Sequence, residues 1–137
     1  MEDRVRAFME QGFRYVRCQV AIPGMSTYGS RGGEALRALD PHQQRTWESG
    51  PYVRAVTSLF EHLRSTLGEQ VELLHDVHER IPPIDGIWLA KALEPYRLFF
   101  LEDLFAPEDV GYFPLVRQQT STPLAMGELF VNPAEYV

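Results

Sequence analysis

An α/β chain organised on a parallel sheet is predicted by two observations. Strand-like apolar runs alternate with helical patterns along the chain. Three of those runs end in an acid: Asp76 in VELLHD, Glu102 in LFFLED and Glu128 in PLAMGE. The intervals 102 − 76 and 128 − 102 are both 26 residues. One strand, one helix and two short loops occupy such a step, so a repeated βα unit gathers the carboxylates at one end of a single sheet.

Each element has its own signal. Residues 1–11 read as a helix with Val5, Phe8 and Met9 on one face, and Gly12 can end it. Residues 13–20 (FRYVRCQV) alternate and are rich in β-formers, which predicts a strand. Residues 21–50 are irregular and glycine-rich, and a segment of that length inside a compact domain is the candidate active-site loop. Val53, Val56, Leu59, Phe60, Leu63 and Leu67 then follow helical spacing up to Gly68.

The next strand is residues 71–76. Pro82 and Pro83 open a helix whose apolar face is expected to hold Ile84, Ile87 and Trp88. Residues 97–102 form a short, nearly all-apolar strand, as expected when both faces are covered. Pro107, Glu108 and Asp109 start another helix, with acids suited to its dipole. Residues 123–128 are the last strand, and Asn132, Pro133 and Glu135 mark a further helix start.

A chain of 137 residues fits one domain with a sizeable core. The net charge of −6 argues against nucleic acid or a membrane surface as partner. Cys18 has no second cysteine to pair with, which fits a reducing cytoplasm, and no run approaches the roughly 18 to 20 apolar residues of a membrane span. A soluble cytoplasmic protein is the expectation.

Converging carboxylates set the chemistry. Two like charges about 4 Å apart repel by roughly 4 kcal/mol at an effective dielectric near 20. A cation would hold three of them ionised, and hard oxygen ligands favour Mg²⁺. The plainer alternative is that each acid caps the helix that follows it. In HDVH, strand alternation turns His78 to the same side as Asp76, where it could act as a general acid or simply support a ligand or the loop, and turns His75 away as a packed or surface histidine. Arg17 near the first strand's end could favour the phenolate of Tyr28 in the loop and make it a usable base. Equally, Arg17 could pair with the carboxylates while Tyr28 packs the loop. PGMSTYGSRGG lacks the phosphate-loop pattern.

LLHDVHERIPPI, LEPYRLFFLED, VRQQTSTPLAMGELF and YVRCQ–IPG–STYG together resemble the mannonate dehydratase group of the enolase superfamily over nearly the whole chain. The resemblance implies that residues 1–137 are part of a (β/α)8 TIM-type barrel, about four βα units of an enolase-superfamily C-terminal domain. It implies Mg²⁺ held by Asp76, Glu102 and Glu128. It implies that Tyr28, assisted by Arg17, removes the proton α to the carboxylate of a sugar acid. His78 then protonates the departing 3-hydroxyl, which leaves a 2-keto-3-deoxy acid. D-mannonate or a similar aldonate is the implied substrate.

Leu104 stands where the family often has proline, with little effect expected on the ligands. Such a barrel typically takes about 250 residues, so the resemblance places the first strand, the last three and the capping domain outside this chain. Turnover is therefore not expected of the isolated polypeptide. A decayed or regulatory remnant is the alternative, and a homo-oligomer or a complementing barrel half is the expected protein partner.

Overall fold

The computed structural model describes residues 1–20 and 48–136. The segment 21–47, which carries Tyr28 and most of the candidate active-site loop, lies outside the described residues. Helix α1 (Glu2–Glu10) leads into strand β1 (Tyr15–Arg17), and helix α2 (Ser49–Leu67) leads into strand β2 (Glu72–Asp76). Helix α3 (Pro83–Leu93) and a 3-10 turn (Glu94–Tyr96) precede strand β3 (Phe100–Glu102). A 3-10 segment (Pro107–Tyr112) and short helix α4 (Phe113–Arg117) connect to strand β4 (Leu124–Ala125), and Pro133–Tyr136 is a final 3-10 turn.

The strands form one sheet in the order β1-β2-β3-β4, and every neighbouring pair is parallel. Register puts Arg17 beside Leu74, Asp76 beside Glu102, and Glu102 beside Ala125. The expected βα alternation and single parallel sheet are what the structure has. Its strands are shorter than the apolar runs, although single backbone bonds, such as Glu72 N–H to the Arg14 carbonyl and Asp103 N–H to the Ala125 carbonyl, reach past the strand ends.

One face of the sheet is covered. Val16, Leu73 and Leu101 are buried there with Val56, Phe60 and Leu63 of α2 and Leu89, Ala90 and Leu93 of α3. Removing an aliphatic side chain of this kind from water is worth about 1.5–3 kcal/mol. Helix α2 ends at Gly68, whose φ of 64° suits a residue without a Cβ, and Gly68 N–H donates to the Arg64 carbonyl at 3.0 Å. The Arg64 guanidinium donates to the carbonyls of Tyr96, Gly68, Val71 and Arg97 at 2.6–3.0 Å, joining the end of α2 to the start of β2 and to the turn before β3.

Several expectations need correction. The helix expected from Pro107 is a 3-10 segment as far as Tyr112 and α-helical only over Phe113–Arg117, and the helix start at Asn132–Glu135 is a 3-10 turn. Ser49 and Gly50 belong to α2 and not to the preceding loop, because Pro51 sits in the first turn, where a missing N–H costs no helical bond. On α3, Ile84 and Trp88 are exposed, whereas Gly86, Ile87, Leu89, Ala90 and Leu93 are buried. The buried face includes Gly86 because Phe105 and Leu104 pack directly onto it.

Candidate active site

The carboxyl ends of β1, β2 and β3 bring Arg17, Asp76 and Glu102 together. Arg17 Nη1 lies 3.3 Å from Asp76 Oδ2, and Arg17 Nη2 lies 2.6 Å from Glu102 Oε2. The second contact is an ion pair without hydrogen-bond alignment, since Glu102 Oε2 has no hydrogen-bond partner. Of the two readings of Arg17, pairing with the carboxylates is the one seen among the described residues.

His78 reaches the same place by an unexpected route. The strand ends at Asp76, so alternation no longer governs residue 78. His78 instead has φ 62°, and this left-handed turn sets its Nδ1 3.4 Å from Asp76 Oδ2. His75 faces the other way and is buried. Its Nδ1 lies 2.7 Å from the Cys18 carbonyl, an acceptor only, so Nδ1 carries the proton. Nε2 then accepts from the Tyr52 hydroxyl at 2.8 Å. Burial pushes His75 down to about 4, pushes the Tyr52 phenol up, and pushes the Cys18 thiol up to about 11. These groups form a neutral bracket that ties β1 and α2 to the residue before Asp76.

Glu128 is not a strand terminus. Strand β4 stops at Ala125, and Gly127, with φ 134°, redirects the chain. Glu128 is exposed, and its charge is felt at Glu79, Glu102 and Asp103.

Asp103 was not anticipated. Adjacent residues on a strand point to opposite faces, so an acid following Glu102 should lie outside the site. Asp103 has φ 45°, and the turn returns its side chain. Asp76, His78 and Asp103 each present a ligand atom, all within 4.8 Å of one another. Burial raises the Glu102 carboxyl above its ordinary value against the pull of Arg17, with repulsion from Asp76, Asp103 and Glu128 added. Burial also raises Asp103, and repulsion from Asp76 adds to it.

Oxygens Oδ1 of Asp76, Oε1 of Glu79 and Oδ1 of Asp103 are buried without hydrogen-bond partners, as is Glu102 Oε2. Leaving carboxylate oxygens in this state is costly. Oxygen-rich, anionic and partly open, the donor set fits a hard divalent cation.

Parallel strands in sequential order, with acids at their carboxyl ends, define an α/β protein of the kind that places its site at that end of the sheet, as TIM-type barrels do. The chain belongs to the enolase C-terminal domain-like family, whose model matches residues 1–137. It is 46% identical to the "D-galactonate dehydratase family member RspA" of Pantoea ananatis (strain LMG 20103), over 99% of this chain and 36% of that protein. It is 43% identical to a D-mannonate dehydratase of Xanthomonas oryzae pv. oryzicola (strain BLS256), over 93% of this chain and 32% of that one. The chain thus spans about a third of the length of the curated relatives it matches. A crystal structure of an enolase from Pantoea ananatis with bound D-gluconate and Mg superposes with a TM-score of 0.82 at 45% identity, covering 98% of this chain and 35% of that one.

Proposed function

We propose that this chain provides the cation-binding part of a Mg²⁺-dependent acid-sugar dehydratase, with D-mannonate or a similar aldonate as substrate. The observation that carries the reading is the convergence of Asp76, Glu102 and Asp103 at one end of the sheet, with buried oxygens of Asp76 and Asp103 that no hydrogen bond satisfies. The names of the relatives and the D-gluconate and Mg of the similar crystal structure support the same chemistry. Asp76, Glu102 and Glu128 would hold the ion. When bound, it supplies Lewis-acid stabilisation for negative charge developing on the substrate carboxylate.

The chain's own residues handle the protons. Tyr28, as phenolate, takes the proton α to the carboxylate, and Arg17 at the end of β1 favours that charged form. His78, oriented by Asp76, delivers a proton to the departing 3-hydroxyl. Turnover is assigned to these strands together with the rest of a barrel, in a longer polypeptide or from a complementing chain.

Calorimetric titration with Mg²⁺, run beside a 2-keto-3-deoxy acid assay on D-mannonate and D-gluconate, tests the reading. Binding should be saturable in the parent protein and lost in Asp76→Ala and Glu102→Ala. Mg²⁺ affinity that survives removal of Asp76, Glu102 and Glu128 together refutes the ligand assignment. Robust turnover by the 137-residue chain alone would show that no further strands are needed.

A further inference from the structure

We propose that Asp103 belongs to the cation site as an acidic positioning residue, adding its charge beside Asp76 and His78 and holding the Gly127–Glu128 turn in place. The inference rests on the Mg²⁺ reading above and assigns a role to a residue outside the ligand set named there. Asp103 joins three strand ends. Its N–H donates to the Ala125 carbonyl at 3.0 Å, and its carbonyl accepts from Glu79 N–H at 2.8 Å. Its carboxylate faces the backbone N–H of Gly127, the residue before Glu128.

The side chain points inward. Asp103 is only 1% exposed, yet its Oδ1 has no hydrogen-bond partner. The same carboxylate lies in the group with Asp76 and His78 whose ligand atoms are within 4.8 Å of one another. A purely structural acid so deeply buried would be saturated by donors or paired with a cationic side chain. Asp76 Oδ1 in the same group is likewise buried without a hydrogen-bond partner, so two neighbouring acids each keep an oxygen that no protein donor takes.

Asn is the informative replacement, because it tolerates left-handed φ, keeps an oxygen for Gly127 and removes the charge. The full chain, Asp103→Asn and Asp103→Glu are compared by Mg²⁺ titration and by thermal melts in EDTA and in saturating Mg²⁺. The expected result has two parts. Asp103→Asn binds Mg²⁺ at least about fivefold more weakly, and it melts no lower than the parent in EDTA, where losing one of several crowded negative charges relieves repulsion. Asp103→Glu, which keeps the charge, recovers part of the affinity and carries the test if the Asn variant does not fold.

A change below about fivefold in Asp103→Asn overturns the inference, as does an equal loss of melting temperature in EDTA and in Mg²⁺, the mark of a structural role. A Glu variant as weak as the Asn variant overturns it too. If the parent binds no Mg²⁺ at all, the proposed function falls and this inference with it, a result distinct from a normal parent with an unaffected variant.

Discussion

Acidification tests the buried bracket behind Asp76. His75 is neutral in the fold, with Nδ1–H bonded to the Cys18 carbonyl and Nε2 accepting from Tyr52. Burial is the main cause of its lowered proton affinity; the Cys18 carbonyl and Asp76 favour the charged form, and Arg17 opposes it. In the unfolded chain the imidazole has its ordinary value of 6.5, and in the fold about 4. Because the folded value is the lower one, the unfolded chain binds the extra proton between them. The stabilising contribution is complete above about 6.5 and is lost as the pH falls toward about 4. At ~1.36 kcal/mol per pH unit the full interval amounts to about 3 kcal/mol, a large share of a typical stability of about 5–15 kcal/mol.

Urea unfolding followed by circular dichroism, on the parent and on His75→Gln between about pH 7 and about pH 4, isolates this term. Nearby carboxylates titrate in both proteins and cancel in the difference. The parent should lose about 2–3 kcal/mol more than the variant across the interval. Parallel curves, within about 0.5 kcal/mol, would refute the neutral tautomer and the bracket built on it.

Other outcomes follow from the same geometry. Glu102, Asp103 and Glu79 are raised above their ordinary values by burial first and then by repulsion from neighbouring acids, with Arg17 pulling Glu102 the other way. Without a cation they lower stability as the pH rises through those raised values, the opposite sign to His75, so the gain in melting temperature on adding Mg²⁺ should be larger at about pH 7.5 than at about pH 5. Differential scanning calorimetry checks this, and an equal gain at both would contradict it. Arg64→Ala removes donors from four backbone carbonyls; a loss of about 3 kcal/mol is expected in chemical denaturation, and a loss below about 1 kcal/mol would show that water replaces them. Gly86→Ala places a Cβ 2.8 Å from Phe105 Cε1 and 3.3 Å from Leu104 Cγ. Overpacking there should cost about 1–3 kcal/mol of stability, and an unchanged melt would mean that Phe105 moves aside freely.

The sheet was legible because apolar runs, proline starts and a constant step report local chemistry. Arg17, Asp76 and Glu102 were legible for the same reason, as strand ends of one parallel sheet. What escaped lies just past the strands, where left-handed residues override alternation. His78 reached the site by a turn, Asp103 returned to it by another, and Gly127 carried Glu128 beyond the last strand pair. The face of α3 was misjudged because the helix is apolar on most sides, and a period of 3.6 discriminates poorly when little contrasts with it. The choice between two partners for Arg17 depends on distances that spacing does not encode.

Asp76 opposite Glu102 also bears on how the chain assembles. A slip of one residue between β2 and β3 would turn Glu102 toward the helices and Leu101 toward the opposite face. The misaligned sheet would bury a carboxylate away from Arg17 and scatter the oxygens that converge in the native register. Only the correct alignment offers a divalent ion a place to bind, so metal present during folding would select the native register from its near neighbours. The acids would then serve as alignment marks in synthesis before they serve chemistry.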